Sequence, residues 1–582
     1  MKKRRKLILA GCVGLVLVLG AGGLLAVKKI RAAGGLNYLY NSKHPTQGDL
    51  PVEYNAQAAK GADGSVKPTE DTLPAKLGIT EKLRYTVNGE QVVETGPAAY
   101  LRKEKISFSG EQIRGTVEGI FTFRGNYSRS LSSYGTAEVK SEKLNESWSF
   151  RTGRLLKSNG KDYWSGNGWT GQPLVIRWPE ETKQVMNLYP DKKEKQDFTE
   201  VIYSGMDGYV HFLDLSDGTE SRPAIHVGMV FKGTASLYPT GIPLLVLGSG
   251  DSQPGMYGEN VSPRAYIYSL IDGTKLYEFG MNDELAPRTF HAFDSSPVID
   301  AKTDTLFYPA ENGVLYSMKL NTNYDPAAGT LTIAPEEFAD YTYSAERATE
   351  EAYTWGMENS ATVHDNYLYV GDNGGVFYCL DVNTMHMVWA QDLCSDVNSS
   401  PIYSEEEDGN FIYTATTLTE ATTDGHSIGN VAIYKLNAAN GRVVWKKTFE
   451  CHNVDGVEGG ILATGVLGRE CIEGQIIYSV SRSPKLSSGI LISLDTKTGE
   501  TVWKQELSRY AWSSTATMYT KDGRAYLIQC CANGTVLLMN AANGMILDRL
   551  ELAATLEATP AVFENTVVIG TRDRRIVGIT VE

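Results

Sequence analysis

Binding and catalysis at neutral pH draw on ionisable groups, amides and indole rings that a fold brings together. This sequence places such residues at a recurring position: Trp164 and Trp169, Arg288, His291 and Asp294, Trp355 and Glu358, Asn398, Asp455 and Glu458, Trp512, and Glu557. Each stands just ahead of a run of small residues and a β-branched or aromatic segment. A fold that gathers those segments around one axis would gather these side chains at one mouth. Aromatic and ionisable groups converging on a funnel suit a ligand or a peptide. The same residues would equally serve as loop residues that bond to their neighbours.

No arrangement dedicated to one reaction is legible. The histidines, among them His211, His226, His291, His364 and His452, are scattered without an H-E-x-x-H or similar pairing, so zinc has no support. Calcium wants several oxygen ligands converging at short range, and no Asp-rich loop of that spacing occurs. Ligands drawn from separate segments would escape this test. No G-x-S-x-G, Walker loop or dinucleotide fingerprint stands in a fitting context. The expectation is therefore no catalytic residue, no metal and no cofactor. Six cysteines lie beyond residue 12, of which Cys451 and Cys471 flank one loop-rich stretch and could pair.

The elements that would position the candidate residues are repeats, running from about Gly171 to Glu582. Each unit opens on small residues, continues through short strands, and closes with Asp/Asn-x-x-x-Gly and a last strand that often bears Trp. One copy runs from Ser399-Ser400-Pro401-Ile402 through Phe411-Ile412-Tyr413 and Val431 to Asn437, ending at Gly441-Arg442-Val443-Val444-Trp445. The next has Ile476-Ile477-Tyr478, Gly489 to Asp495, and Gly499-Glu500-Thr501-Val502-Trp503. Alternating apolar, β-branched and aromatic residues give strands, and glycine suits the turns because they often require positive φ. Unit starts fall near Gly171, Ala235, Ser296, Ser360, Ser400, Thr464, Thr515 and Thr559. The last unit has room for three strands only. Upstream, Glu146-Ser147-Trp148-Ser149-Phe150-Arg151 looks like a Trp-bearing fourth strand without its partners, and placing it on the last unit closes a ring. The fold class expected is all-β, an eight-bladed β-propeller of four-stranded antiparallel blades over residues 144–582.

These repeats resemble those of the pyrroloquinoline-quinone-binding, quinoprotein alcohol dehydrogenase-like propeller superfamily. The fourth-strand Trp that docks onto the neighbouring blade in that family is matched by Trp148, Trp389, Trp445 and Trp503. Tyr277 and Leu547 stand where two further copies would carry it. Phe123-Arg124-Gly125-Asn126-Tyr127-Ser128-Arg129-Ser130 resembles the lead-in found before such repeats. The resemblance implies fold more than function. Its enzymes hold a quinone over the ring with calcium and a catalytic carboxylate, and many stack a vicinal disulfide on it. Cys530-Cys531 is the tempting match, but it ends the second strand of a blade hairpin, off the axis, and reads as structural. The repeat type is also similar to that of a propeller lipoprotein of outer-membrane-protein assembly.

The N-terminus gives the compartment. Lys2, Lys3, Arg4, Arg5 and Lys6 form a cytoplasmic basic segment, an uncharged run spans 7–27, and Lys28, Lys29 and Arg31 follow. About 21 helical residues span roughly 30 Å, the thickness of a bilayer core, and the heavier basic cluster places the N-terminus inside. Residues 7–27 thus read as a retained transmembrane anchor, with no clean cleavage site after them. Leu9-Ala10-Gly11-Cys12 resembles a lipobox, but the apolar run continues well beyond Cys12. Residues 28–75, rich in Gly and Pro, read as a flexible tether. Residues 76–143 read as a small lead-in module packed on the propeller, with one hairpin around Val87-Asn88-Gly89-Glu90. The net charge of −14, despite the basic leader, speaks against a nucleic-acid partner. The leading expectation is a membrane-anchored, extracytoplasmic, non-catalytic scaffold for another envelope protein or peptide. The rivals are a quinone-dependent dehydrogenase and a cell-wall glycan-binding module, the latter suggested by 32 tyrosines.

Overall fold

A computed structural model describes residues 46–59, 65–157, 159–250, 262–346, 355–418, 426–454 and 458–582. The anchor segment 7–27 lies outside the described residues, among which no helix is long and apolar enough to cross a membrane.

Short antiparallel strands build eight blades arranged in sequence order. Blade 5, for example, is Ile402–Glu406, Gly409–Ala415, His426–Asn437 and Val443–Val454. The eighth blade takes Ala561–Phe563, Thr566–Gly570 and Arg575–Val581 from the C-terminus and Leu144–Arg151 from upstream. Arg575 pairs with Arg151 and Val581 with Leu144, so the expected closure through Trp148 is present. The upstream strand thereby covers the edge of Arg575–Val581 and locks the two ends of the ring together.

Neighbouring blades are fastened by one repeated contact. The Trp148, Trp389, Trp445 and Trp503 indoles donate to the carbonyls of Leu215, Ala438, Thr496 and Ala541, at 2.8 to 3.1 Å. Each acceptor is the first residue after the third strand of the next blade. The ring lies over the glycine that ends the same turn, Gly218, Gly441, Gly499 or Gly544. Added Cβ atoms there would approach the indole to 2.4–2.8 Å. This is why the Asp/Asn-x-x-x-Gly motif and the Trp recur together.

Four blades lack the indole, and at two of their junctions an arginine donates to the same carbonyl. Arg222 of blade 1 donates to Leu270 O at 2.5 Å, with its charge matched by Glu200 at 2.7 Å. Arg102, from upstream of the repeats, donates to Val382 O at 3.0 Å between blades 3 and 4.

At the centre, the small residues that open each unit form a closed belt. Backbone N–H groups of Ser296, Ser360, Ser400, Thr464 and Ser514 donate to the hydroxyls of Ser360, Ser400, Thr464, Ser514 and Thr559. Gln172 N donates to Thr234 Oγ1, Ser296 Oγ to Thr234 O and Thr559 Oγ1 to Thr170 O, which completes the circuit. The unit starts read from the sequence sit on this belt or one residue from it.

Below the belt the channel is stopped by residues 122–133, the segment around Phe-Arg-Gly-Asn. This segment bonds to every blade. Arg124 donates to Gly465 O and Thr515 O of blades 6 and 7, and Arg129 to Ser296 O and Ala361 O of blades 3 and 4. Its other bonds reach Gln172, Ser236, Tyr403 and, through the bridge to Ser133, Val562. Both arginines are fully buried without a carboxylate partner, and burial pushes Arg124 down to about 10 and Arg129 to about 9. Carbonyls, one hydroxyl and, for Arg129, the face of Tyr127 surround these cations, so the hub is a polar keystone rather than an apolar plug.

Described residues ahead of the repeats add strands to the outside of two blades. Asp49–Tyr54 pairs with Val443–Val454 as an extra outer strand of blade 5, with Pro51 at the register shift where a missing N–H is tolerated. Thr72 Oγ1 donates to Asn440 O at 2.7 Å. The open edge of blade 5 supplies hydrogen bonds that composition alone does not reveal. The hairpin Thr80–Val87 and Glu90–Thr95 forms around Val87-Asn88-Gly89-Glu90 and packs on the propeller as two further strands of blade 3 through Ala339–Ser344.

Candidate functional site

The inner strands begin at the belt, so the residues just before them crowd one mouth. Asp294, Glu358 and Asn398 line a cavity of ≈ 40 Å³ together with belt hydroxyls of Ser296, Ser360 and Ser400, with Phe123 of the hub also in its wall. Asn373, from a turn of blade 4, ties the rim together. Its amide donates to Glu358 and Asp396, both at 3.1 Å, and its carbonyl accepts from Arg288 at 2.7 Å. Asn398 also donates to Asp396, at 2.9 Å.

Charged groups crowd this mouth. Lys232 stands 3.5 Å from Asp294, and Arg288 3.9 Å from Glu311. Burial, then repulsion from Glu358, pushes Glu458 up to about 7. Burial followed by Glu358 and Glu458 raises Asp396 well above the carboxylate range, and burial followed by Glu358 and Asp294 does so for Glu311. Carboxyl groups held together in a poorly hydrated site keep protons because like charges cannot all ionise.

Aromatic rings complete the rim. Trp169 and Trp512 have centroids 5.9 Å apart. Lys232 lies 5.4 Å and Arg572 5.5 Å from the Trp169 ring, within cation–π range. Trp512 donates to Glu458 O, and Glu557 lies 3.4 Å from Arg572.

The structure thus brings together Trp169, Arg288, Asp294, Glu358, Asn398, Glu458, Trp512 and Glu557. Trp164 belongs instead to the hairpin of Arg154–Leu156 and Tyr163–Ser165, under Lys157. His291 is partly buried, and desolvation lowers its pKa. Trp355 sits at φ +68 beside the Asp372 carboxylate, to which its backbone N–H donates. Asp455 lies outside the described residues. Lys232, Glu311, Asn373, Asp396 and Arg572 were not singled out from sequence. Asp396 is two residues from Asn398 and was within reach. Glu311 and Asn373 come from turns between later strands, a position where no sequence rule placed a site.

Cys451 and Cys471 are both free, so the pairing that could have joined them is not formed. Cys530 and Cys531 are buried on opposite faces of blade 7, in two different apolar clusters, as strand alternation requires. Their role is packing.

Residues 342–448 and 487–582 match the family model described as outer membrane protein assembly factor BamB. The chain is an eight-bladed β-propeller, and it is these two stretches, about a third of the chain, whose repeats are similar to those of that family. Similar solved structures include quinohemoprotein alcohol dehydrogenase ADHIIG from Pseudomonas putida HK5, 11% identical over 82% of each chain, with TM-score 0.53. BamB from Moraxella catarrhalis is 14% identical over 75% of this chain and 98% of its own, with TM-score 0.44. At such identities the likeness is one of fold. No curated protein matches the chain.

The dehydrogenase likeness raises a quinone and its metal, and the residues present do not fit them. Pyrroloquinoline quinone is a tricyclic tricarboxylate. The axial cavity of ≈ 40 Å³ is far below the roughly 300 Å³ at which ligand pockets begin. Among the described residues no group of three His, Cys, Asp or Glu is placed to hold a metal ion.

Proposed function

We propose that this chain is a non-catalytic interaction propeller of the cell envelope, anchored by residues 7–27, with a partner protein or peptide received at the mouth. One observation carries the reading. The mouth is rich in charge and indole surface, yet it stands over a channel stopped by a segment bonded to all eight blades. Such a mouth suits contact with a surface feature of another protein better than enclosure of a cofactor. The family description, an assembly factor, agrees in kind. The uncharged run of residues 7–27 supports the anchor. The tyrosine count gives the glycan reading no help, because Tyr308, Tyr341, Tyr369, Tyr378, Tyr413 and Tyr478 are fully buried between strands.

Site-specific photocrosslinking in intact cells tests this. A photoreactive residue replacing Asn398 at the mouth should capture one recurring envelope protein, and the same residue replacing exposed Lys140, beside the far end of blade 7, should not. Equal capture from both positions, or none from Asn398, would sink the reading.

A further inference from the structure

The segment ahead of the repeats is pinned to the propeller on its mouth side. Thr46 N donates to Pro484 O at 2.6 Å and its hydroxyl to Glu450 O at 2.9 Å. Gln47 N donates to the Glu450 carboxylate at 2.8 Å. Asp49 stands 3.2 Å from Lys447 of blade 5 and 2.7 Å from Lys504 of blade 6. Pro484 lies in the turn between Gln475–Ser481 and Gly489–Asp495, the second and third strands of blade 6. Turns of that class carry Glu311 and Asn373 to the mouth in blades 3 and 4. In blade 5, Lys447 stands opposite Ile433, which faces Ala415 at the mouth-side end of the second strand, so Glu450 lies further to the mouth side. From this pin Asp49–Tyr54 runs away from the mouth, with Asp49 opposite Phe449 and Tyr54 opposite Trp445.

We infer that the propeller is held with its mouth toward the membrane that carries residues 7–27, and that the mouth receives a segment of a protein embedded in that same membrane. This rests on the anchored interaction reading above and adds the direction of the site and the kind of partner. Residues 28–45 join the anchor to the pin, and a chain of that length reaches at most about 65 Å when fully extended. Presenting the far face instead would require the chain to double back past residues 46–54, about 25 Å of extended strand, before it met the bilayer. Entry on the mouth side needs no such return. The backbone ladder of Asp49–Tyr54 and the two ion pairs of Asp49 hold the entry point to the rim of blades 5 and 6, so the direction is built into the fold. A mouth kept within that reach of the bilayer meets membrane-embedded proteins at a raised local concentration, because both partners are held to one surface. A soluble partner gains no such advantage.

Energy transfer in lipid nanodiscs tests the direction. The full-length chain carries a donor dye either at Ile428, exposed on the mouth side opposite His452, or at exposed Lys140 on the far side, and the lipid headgroups carry the acceptor. Transfer from position 428 should exceed that from position 140 at least threefold. A dye at exposed Asn430, on the same strand, repeats the reading should position 428 disturb the ladder. Equal transfer, or stronger transfer from position 140, would overturn the orientation. The protein captured by a photoreactive residue at position 398 should remain with the membrane through an alkaline wash, and a captured protein released by that wash would overturn the partner class. A chain recovered free of the nanodiscs would remove the anchor and this inference with it. Equal transfer in a chain that stays bound to the nanodisc would remove this inference alone and leave the interaction reading standing.

Discussion

The mouth carboxylates show how a few side chains set a measurable property of the molecule. Burial, with Glu358 next, pushes Glu458 up to about 7, above the ordinary 4.5 of an unfolded chain. The folded state therefore binds more protons than the unfolded state between those values, and stability falls as pH rises from about 4.5 through about 7. Glu458→Gln removes this residue's share of the loss. We expect the variant to melt about 1–3 °C higher than the wild type at pH 8 and at the same temperature at pH 4. A variant that melts lower at pH 8 would show that Glu458 is ionised against a cation. Little of this was legible beforehand. Asp294, Glu358, Asn398 and Glu458 could be placed because each precedes a recognisable first strand. Glu311 and Asn373 could not, because they reach the mouth from turns between later strands.

At the level of elements, what was readable followed locality. Units of alternating apolar residues with glycine-ended turns gave the blades, and the orphaned strand around Trp148 gave the closure. The arginines that replace tryptophan were hidden. Arg222 has the wrong residue type for the motif, and Arg102 lies 280 residues from the carbonyl it holds. The hub was hidden for the same reason, since Arg124 finds Thr515 O across 391 positions of sequence. The outer strand Asp49–Tyr54 was masked by Pro51 and by a composition that suggests a linker. Closure yields a direct prediction. Deleting residues 144–153 strips the outer strand from Arg575–Val581 and removes the Trp148 anchor on Leu215 and Gly218. Loss of a buried Trp alone costs about 3–5 kcal/mol. The deletion should lower the melting temperature by at least about 5 °C and promote aggregation through the bared edge. An unchanged melting temperature would mean that the eighth blade does not need its fourth strand.

For the whole molecule, the belt and the hub together decide what the propeller is suited to do. The belt ties each blade to the next at the axis. The segment 122–133 then ties all eight to one another, in place of the open shaft that a cofactor or substrate would need. Rigidity at the centre leaves the mouth as a preformed surface whose charge and indoles are set by the blades around it. A preformed surface binds without ordering itself first, which favours recognition of a protein partner. Fold likeness to quinohemoprotein alcohol dehydrogenases is fully compatible with this, because such folds host unrelated functions. The measurement that bears most directly on the claim is titration of the full-length chain with pyrroloquinoline quinone in the presence of calcium, following cofactor absorbance and protein melting together. An interaction propeller with a stopped channel and a carboxylate-rich mouth predicts no saturable absorbance change and no shift in melting at a large excess of both. Saturable binding that is lost in Glu358→Gln or Glu458→Gln would contradict it and make the mouth a cofactor site.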